Sequence, residues 1–188
     1  MANVNHATLT DPNLHEPKGI AAAPAGQVYI ADGAGSGSWE ELARYVNGYV
    51  AFDSATPAYQ HSVTTGFTAL DPTFTVSSNN GFTGLSSPNA RLRYDGAETI
   101  TAFVQFTVSF KNNSGSDKDV EIEIYKNGSS FNGAHTIVTA VNAEWKSITI
   151  PDIGSLSTND YIEIFVKGSS AFTLDIASAS LVISGVPV

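Results

Sequence analysis

The chain has 188 residues, of which 42% are hydrophobic and 14% are charged, and it contains no cysteine. Lysine and arginine total 9 against 18 aspartate and glutamate residues, so the formal net charge is −9. The acidic balance excludes nucleic-acid binding, because a phosphate backbone would be repelled. The lack of cysteine excludes disulfides, thiolate metal sites and thiol nucleophiles. A chain of this length is expected to form one conventional domain with a short appendage.

Residues 1–38 are predicted to form an extended arm that has no core of its own. Prolines at positions 12, 17 and 24 oppose helix formation, and large apolar residues are too few to bury a core. Only Gln27–Asp32 has the character of a strand. The arm has no basic or apolar signal-peptide region, and the chain has no run of 18 apolar residues, so neither a signal peptide nor a membrane-spanning helix is expected.

Residues 39–48 are predicted to form a short helix that joins the arm to the body. Ser38 and Glu41 fit the S-x-x-E capping box, and Gly48 follows as a C-terminal stop. At about two turns the helix is too short to be stable alone, so it is expected to dock on another element.

Residues 49–188 are predicted to form a β-sandwich, because their hydrophobic pattern has a period of two. In Ile100–Phe110 the even positions are all apolar and the odd positions are mostly polar, and Val120–Tyr125 repeats the alternation. Turn-forming clusters, among them residues 132–133 and 151–154, separate the segments. Further strands are predicted at Tyr49–Asp53, Gln60–Leu70, Phe74–Ser77, Ala90–Tyr94, His135–Ala140, Trp145–Ile150, Tyr161–Lys167, Phe172–Ile176 and Ser180–Ser184.

Eight to ten short antiparallel strands in one body favour two packed sheets over a single one. The predicted fold is therefore all-β: an antiparallel two-sheet jelly-roll sandwich, with an extended N-terminal arm and one short helix.

Large aromatic residues occupy strand positions that the alternation assigns to the outer face of a sheet. They are Phe103, Tyr125, Tyr161 and Phe165. A monomeric sandwich would carry polar residues there, since contiguous exposed aromatic surface is costly. Two interpretations remain open. The rings are scattered or covered by residues 49–80, or they line a subunit interface, for which a closed ring of three subunits is the expected form.

The region from Ile100 to Val188 resembles the jelly-roll heads of the tumour-necrosis-factor and complement globular-head superfamily. The resemblance rests on Ile122–Gly128, a strand that ends in Lys-Asn-Gly, on Leu156–Ile164, and on the closing strand Ala179–Gly185. The family usually has Gly-Asp where this chain has Asn159-Asp160. The resemblance implies a homotrimer that binds other surfaces and performs no chemistry.

The stretch Leu9–Ile20, followed by Gly26–Trp39, resembles the leading segment of tailed-bacteriophage virion proteins. That segment precedes variable domains in head-decoration, head-fibre and tail-fibre proteins, which implies that the arm docks on the particle while the body projects. The expected anchoring residues are Leu9, Leu14, Ile20, Val28, Tyr29, Ile30 and Trp39. The alternative for each of them is packing against its own body.

No pattern in the sequence predicts an active site, a metal site or a cofactor site. Glycines at 33, 35 and 37 follow a strand, but the third comes one place early for a dinucleotide-binding turn and no further βα units follow. The histidines at 6, 15, 61 and 135 lack metal-binding spacing, and residues 112–119 lack the pattern of a calcium loop. No catalytic residue and no cofactor is therefore expected.

The sequence favours a structural virion protein, a homotrimeric head decoration or short head fibre that is attached to the capsid through its N-terminal arm. The alternative is a tail-fibre receptor-binding module whose tip loops recognise a host-surface glycan. The small side chains of Ser114–Ser116 and Ser129-Ser130 favour the first. A polysaccharide hydrolase is disfavoured, because no acid pair stands out. The expected partners are two further copies and a capsid or other virion protein, with no nucleic acid and no membrane, and the expected location is the virion, after synthesis in the host cytoplasm.

Overall fold

The computed structural model describes residues 27–31, 37–41, 45–53, 58–85 and 91–188, and every regular element among them is a β-strand. The internal contacts of the chain divide it into two units, with the boundary between Arg44 and Tyr45. The first unit contains β1 (Gln27–Ala31) and β2 (Gly37–Glu41). The second contains β3 (Val46–Asp53), β4 (Tyr59–Val63), β5 (Thr68–Ala69), β6 (Thr75–Asn80), β7 (Phe82–Leu85), β8 (Arg91–Tyr94), β9 (Ile100–Asn112), β10 (Lys118–Lys126), β11 (Ser129–Ala140), β12 (Trp145–Leu156), β13 (Tyr161–Gly168) and β14 (Phe172–Pro187).

The second unit, called the body below, consists of two antiparallel six-stranded sheets. The front sheet has the order β12-β9-β14-β3-β6, with β4 also paired to β14. The back sheet has the order β11-β10-β13-β8-β7, with β5 also paired to β13. From β8 to β14, every connection except that between β10 and β11 crosses from one sheet to the other. This crossing pattern is that of a jelly-roll sandwich, and the predicted all-β, two-sheet fold is confirmed.

The core lies between the sheets and is built from alternate residues of each strand. Along β9 every second residue from Ile100 to Phe110 is buried, as the alternation in the sequence predicts. The back sheet contributes Val120, Ile122 and Ile124 from β10, together with alternate residues of β13. Each fully buried aliphatic or aromatic side chain is worth roughly 1.5–3 kcal/mol. This burial is what drives the two sheets together.

The helix predicted over residues 39–48 is wrong. Gly37–Glu41 is strand β2 and Val46–Asp53 is strand β3, so the described residues at both ends of this stretch are extended. The Ser38 hydroxyl donates a hydrogen bond to the Glu40 carboxylate instead of capping a helix. A helix of two turns is not stable by itself. As a strand, β3 instead pairs with β14 and β6 and buries its alternate residues. The sandwich consequently begins at Val46 rather than at Tyr49.

The turn predicted at residues 151–154 is also wrong, because β12 runs without interruption from Trp145 to Leu156. β12 is an edge strand that pairs with β9 only. A proline is tolerated on an edge, where its missing N–H deprives no neighbour of a hydrogen bond. Pro151 therefore continues the strand. The segments predicted at Phe172–Ile176 and Ser180–Ser184 are likewise parts of one strand, β14, with an irregularity between Ile176 and Ser178.

Residues 59–71, called the clasp below, connect the two sheets along one side of the body. β4 pairs with β14 of the front sheet, and β5 pairs with β13 of the back sheet. His61 is 5% exposed, and its Nε2 lies 3.1 Å from Thr68 Oγ1. The Thr68 hydroxyl gives its one proton to the carbonyl oxygen of Val166. Nε2 of His61 must therefore carry a proton and donate it to Thr68, which leaves Nδ1 as the position where a second proton would bind.

Burial lowers the pKa of His61, against the opposing attraction of the Asp71 carboxylate. Asp71 also accepts a hydrogen bond from the Tyr59 hydroxyl. Burial, and then this bond, raise the pKa of Tyr59, which keeps that hydroxyl protonated. The clasp thus holds a neutral imidazole in place with one hydrogen bond and packing.

We expect the body to lose stability as the pH falls below 6.5, the ordinary pKa of histidine. The folded state disfavours the imidazolium, so the unfolded chain binds more protons in this range and the free energy of unfolding decreases. Urea unfolding at about pH 7.5 and about pH 5 measures the slope of the free energy of unfolding against pH. The variant His61→Gln, which still donates to Thr68 but does not titrate, should reduce it.

The matched control is His135→Gln, because His135 is an exposed histidine outside the clasp, with its Nδ1 2.9 Å from the Gly133 carbonyl oxygen. This variant should keep the slope of the unsubstituted protein. An equal slope for His61→Gln and His135→Gln would contradict the assignment.

Candidate functional site

One end of the outer face of the front sheet carries exposed apolar side chains. Tyr45, Phe103, Ile153 and Val186 are 60%, 40%, 62% and 47% exposed. Phe103 on β9 is the cross-strand partner of Ile153 on β12, and all four residues line a shallow hollow of about 220 Å³. We call these four residues the apolar end. A contiguous apolar patch on a sheet face is typical of a surface that contacts another molecule.

Further exposed apolar side chains lie near the edge of the body that β11 and β12 form. Ile137 and Trp145 are 63% and 50% exposed, and Val141 lies between the two strands. β11 is the last strand of the back sheet and β12 the last strand of the front sheet. Lys111 Nζ lies 5.0 Å from the centroid of the Trp145 ring. We call Ile137, Val141 and Trp145 the apolar edge.

Three of the four residues predicted for the trimer interface lie on the outer face of the back sheet. Tyr125 and Phe165 are stacked with their ring centroids 4.1 Å apart, and Phe67 of the clasp lies 5.7 Å from Tyr125. The Arg91 guanidinium lies 4.6 Å from the centroid of the Tyr161 ring. Neighbours in the same chain therefore cover part of these rings, and all three predicted residues are half-buried.

Two carboxylates are buried in this aromatic surface. Glu163 is 2% exposed, and its Oε2 lies 2.8 Å from Arg91 Nε. Glu123 is 7% exposed and accepts a hydrogen bond from the Ser130 hydroxyl. A buried charge is tolerated only when it has a partner. Arg91 therefore stabilises Glu163 and also packs on Tyr161, which makes this face an internally connected cluster.

The four predicted interface residues do not form one surface. Phe103 lies on the outer face of the front sheet, whereas Tyr125, Tyr161 and Phe165 lie on the outer face of the back sheet. Alternation along a strand shows that a residue points outward, but it does not show which sheet the strand joins. A role in subunit contact stays a prediction for all four residues, and Phe103 has the more exposed and more apolar surroundings.

Sequence reasoning missed the other members of the apolar end and the apolar edge. Tyr45 fell in the predicted helix and Ile153 in the predicted turn, so neither was assigned to a sheet face. Ile137 and Trp145 lay inside predicted strands, where the alternation marks both as outward positions. The signal for Ile137 and Trp145 was therefore present in the sequence.

The first unit supplies the described part of the predicted anchoring arm. β1 and β2 form an antiparallel hairpin, in which Tyr29 is the cross-strand partner of Trp39. Their rings meet edge to face with centroids 5.4 Å apart. Ile30 is 48% exposed, and Val28 is half-buried. Leu9, Leu14 and Ile20 lie outside the described residues.

Neither a metal-ligating cluster nor a membrane-spanning helix occurs among the described residues. No three His, Cys, Asp or Glu side chains in this part of the chain are grouped so that they could hold a metal ion. Within the same residues, no helix is long and apolar enough to cross a membrane. The expectations of no catalysis and no cofactor stay predictions.

Comparison with protein-family models and with curated proteins gives no match. Among solved structures, the PRD1 vertex protein P5 is 12% identical with a TM-score of 0.48, over 76% of this chain and 97% of that one. Murine APRIL is 9% identical with a TM-score of 0.47, over 76% and 99%. Eiger TNF from S. frugiperda is 8% identical with a TM-score of 0.47, over 77% and 92%. Similarity at this distance decides nothing about function, which depends on the chain's own surfaces.

We expect Arg91→Ala to destabilise the body by about 3 kcal/mol, because Glu163 would keep a buried charge without its partner. Urea unfolding at neutral pH and fixed protein concentration measures the loss. Adding Glu163→Gln to Arg91→Ala should recover a large part of it, since the amide carries no charge. If the double variant is no more stable than Arg91→Ala alone, the ion pair is not what holds this face together.

Proposed function

We propose that the chain is a structural protein of a bacteriophage virion, a homotrimer that decorates the head or forms a short head fibre. Residues 1–38 would attach it to the capsid, and the body would project. The observation that carries the proposal is the presence of two unlike apolar surfaces, the apolar end and the apolar edge, on one body. The resemblance of the N-terminal stretch to the leading segment of phage virion proteins supports the location.

The two apolar surfaces favour a ring of subunits. In this arrangement the apolar end of one copy contacts the apolar edge of the next copy. A contact between unlike surfaces is heterologous, and it generates either a closed ring or an open filament. A ring of three is the smallest closed form of this contact. It would also cover the exposed edge strands, which otherwise invite uncontrolled pairing.

The hairpin of β1 and β2 supports attachment through the first unit. An isolated two-stranded hairpin is marginally stable in water, and the Tyr29–Trp39 pair is its one described ring contact. Docking on a larger surface would stabilise it, and Val28 and Ile30 are available on the opposite side of the ribbon from that pair. Three arms on one trimer would turn weak contacts into firm attachment by effective concentration.

The oligomeric state tests the subunit contact. Light scattering should give the mass of a trimer, and Phe103→Asp or Ile137→Asp should each give a monomer, because each places a charge in one side of the contact. Thr83→Asp is the matched control, since Thr83 is an exposed strand residue of the back sheet outside both surfaces, and it should remain a trimer. Circular dichroism of each variant confirms that it is folded.

Mixing the two monomeric variants distinguishes a ring from a symmetric contact. A heterologous contact predicts that Phe103→Asp, which keeps its apolar edge, joins Ile137→Asp, which keeps its apolar end, in a heterodimer that cannot close. Monomers only, or a restored trimer, would contradict the heterologous ring.

Deletion of residues 1–38 tests the anchoring role. The shortened chain should still form trimers but should fail to join phage particles that lack the protein, whereas the full chain should be incorporated. Labelling the body with an antibody locates it on the particle by electron microscopy. Label on the tail tip would refute head attachment and favour the receptor-binding alternative.

A further inference from the structure

A polar groove lies on the outer face of the front sheet, away from the apolar end. It has a volume of about 330 Å³. The side chains that matter for its chemistry are Tyr49, Ala51, Asp53, Thr107, Ser178 and Ser180. The groove is a consequence of side-chain size. Ser180 on β14 is the cross-strand partner of both Ala51 and Thr107, so a row of small residues crosses the sheet.

A tyrosine bounds this row on one side, and a carboxylate bounds it on the other. Tyr49, the cross-strand partner of Val182, stands two residues from Ala51 along β3, and Asp53, the partner of Ser178, stands two residues away in the other direction. Thr107 is held by Thr149, with their hydroxyl oxygens 2.9 Å apart. The floor is therefore small and polar, with an aromatic ring at one end and an exposed carboxylate at the other.

The polar groups of the groove are available to a ligand. Within the described residues, the Asp53 carboxylate and the Ser178 and Ser180 hydroxyls make no hydrogen bond to another group of the chain. Hydroxyls both donate and accept, whereas a carboxylate only accepts. A ligand with several hydroxyl groups close together, each able to donate and accept, satisfies all three.

The charge around the groove favours neutral ligands over anionic ones. Among the described residues, no lysine, arginine or histidine lines the groove, Asp53 contributes a carboxylate, and the chain carries a net charge of −9. A phosphate, sulfate or uronate group would be repelled by this field. The tyrosine ring adds a surface for the C–H face of a sugar ring, and a volume of this size suits one or two such rings.

We propose that this groove binds a neutral hexopyranose unit of a glycan. The Asp53 carboxylate accepts hydrogen bonds from adjacent sugar hydroxyls, Ser178 and Ser180 bind further hydroxyls, and Tyr49 packs on the ring. Ser180 and Val186 are six residues apart on β14, which is about 20 Å of strand. The groove is thus separate from the apolar end, and the inference does not rest on the proposed trimer.

Saturation-transfer NMR on the full chain tests this site with four probes: D-glucose, D-galactose, N-acetyl-D-glucosamine and, as the anionic probe, D-galacturonate. At least one neutral sugar should receive saturation at about 10 mM or below, and galacturonate should bind more weakly than that sugar. Asp53→Asn should weaken binding about tenfold, because it removes the charge from the hydrogen bonds. Ala51→Leu should abolish binding by filling the floor.

Glu98→Gln is the matched control, since Glu98 is exposed, lies outside the groove and loses the same charge. It should bind the sugar like the unsubstituted protein. Absence of transfer to all three neutral sugars would overturn the proposal. So would equal binding by the unsubstituted protein, Asp53→Asn and Ala51→Leu, or binding of galacturonate at least as tight as that of the neutral sugars. Light scattering on the same samples reports separately on the trimer.

Discussion

The two sheets pack against each other through their inner faces, and this packing leaves their outer faces for contacts with other molecules. Every strand places alternate side chains on opposite faces, and the inner set of β9, β10 and β13 is buried almost completely. The outer set is free to vary, and in this chain it is not uniformly polar. Some of its members are apolar, and within the described residues of the body those of the apolar end and the apolar edge remain partly exposed.

The outer faces of the two sheets differ in how far the chain itself covers their apolar side chains. On the back sheet, Tyr125 and Phe165 stack on each other while Phe67 and Arg91 close over their neighbours, so the chain covers much of that face itself. On the front sheet, Phe103 and Ile153 remain open to solvent. The buried Glu163, paired with Arg91, shows the cost of internal covering, since a charge has to be compensated inside the cluster. The difference makes the front sheet the better candidate for a subunit contact.

The fold was predictable from sequence to the extent that it depends on local alternation. The period of two in Ile100–Phe110 identified β9 and its buried face. The helix over residues 39–48 was mispredicted, because a capping box is a local signal and the pairing of β3 with β14 is a distant one. Pro151 was read as a turn, since the sequence does not show that β12 lies at an edge where a proline does no harm.

The candidate surfaces were less predictable from sequence, because they depend on contacts between distant segments of the chain. Outward aromatic residues could be recognised, but Phe103 and Tyr125 could not be assigned to different sheets, because that follows from the crossing between β9 and β10. The groove contains residues of β3, β9 and β14. Their small side chains predict no groove unless it is known that these strands lie side by side.

Trp145 offers the most direct measurement of the central claim, that copies of this chain cover the exposed apolar surfaces of the body. The chain has two tryptophans, so Trp39→Phe leaves Trp145, half-exposed in the single subunit, as the one reporter. Acrylamide quenching of its fluorescence should be weak at high protein concentration and should rise towards that of an exposed indole as dilution dissociates the oligomer. Strong quenching that does not change with concentration, in a protein of monomer mass, would contradict the account.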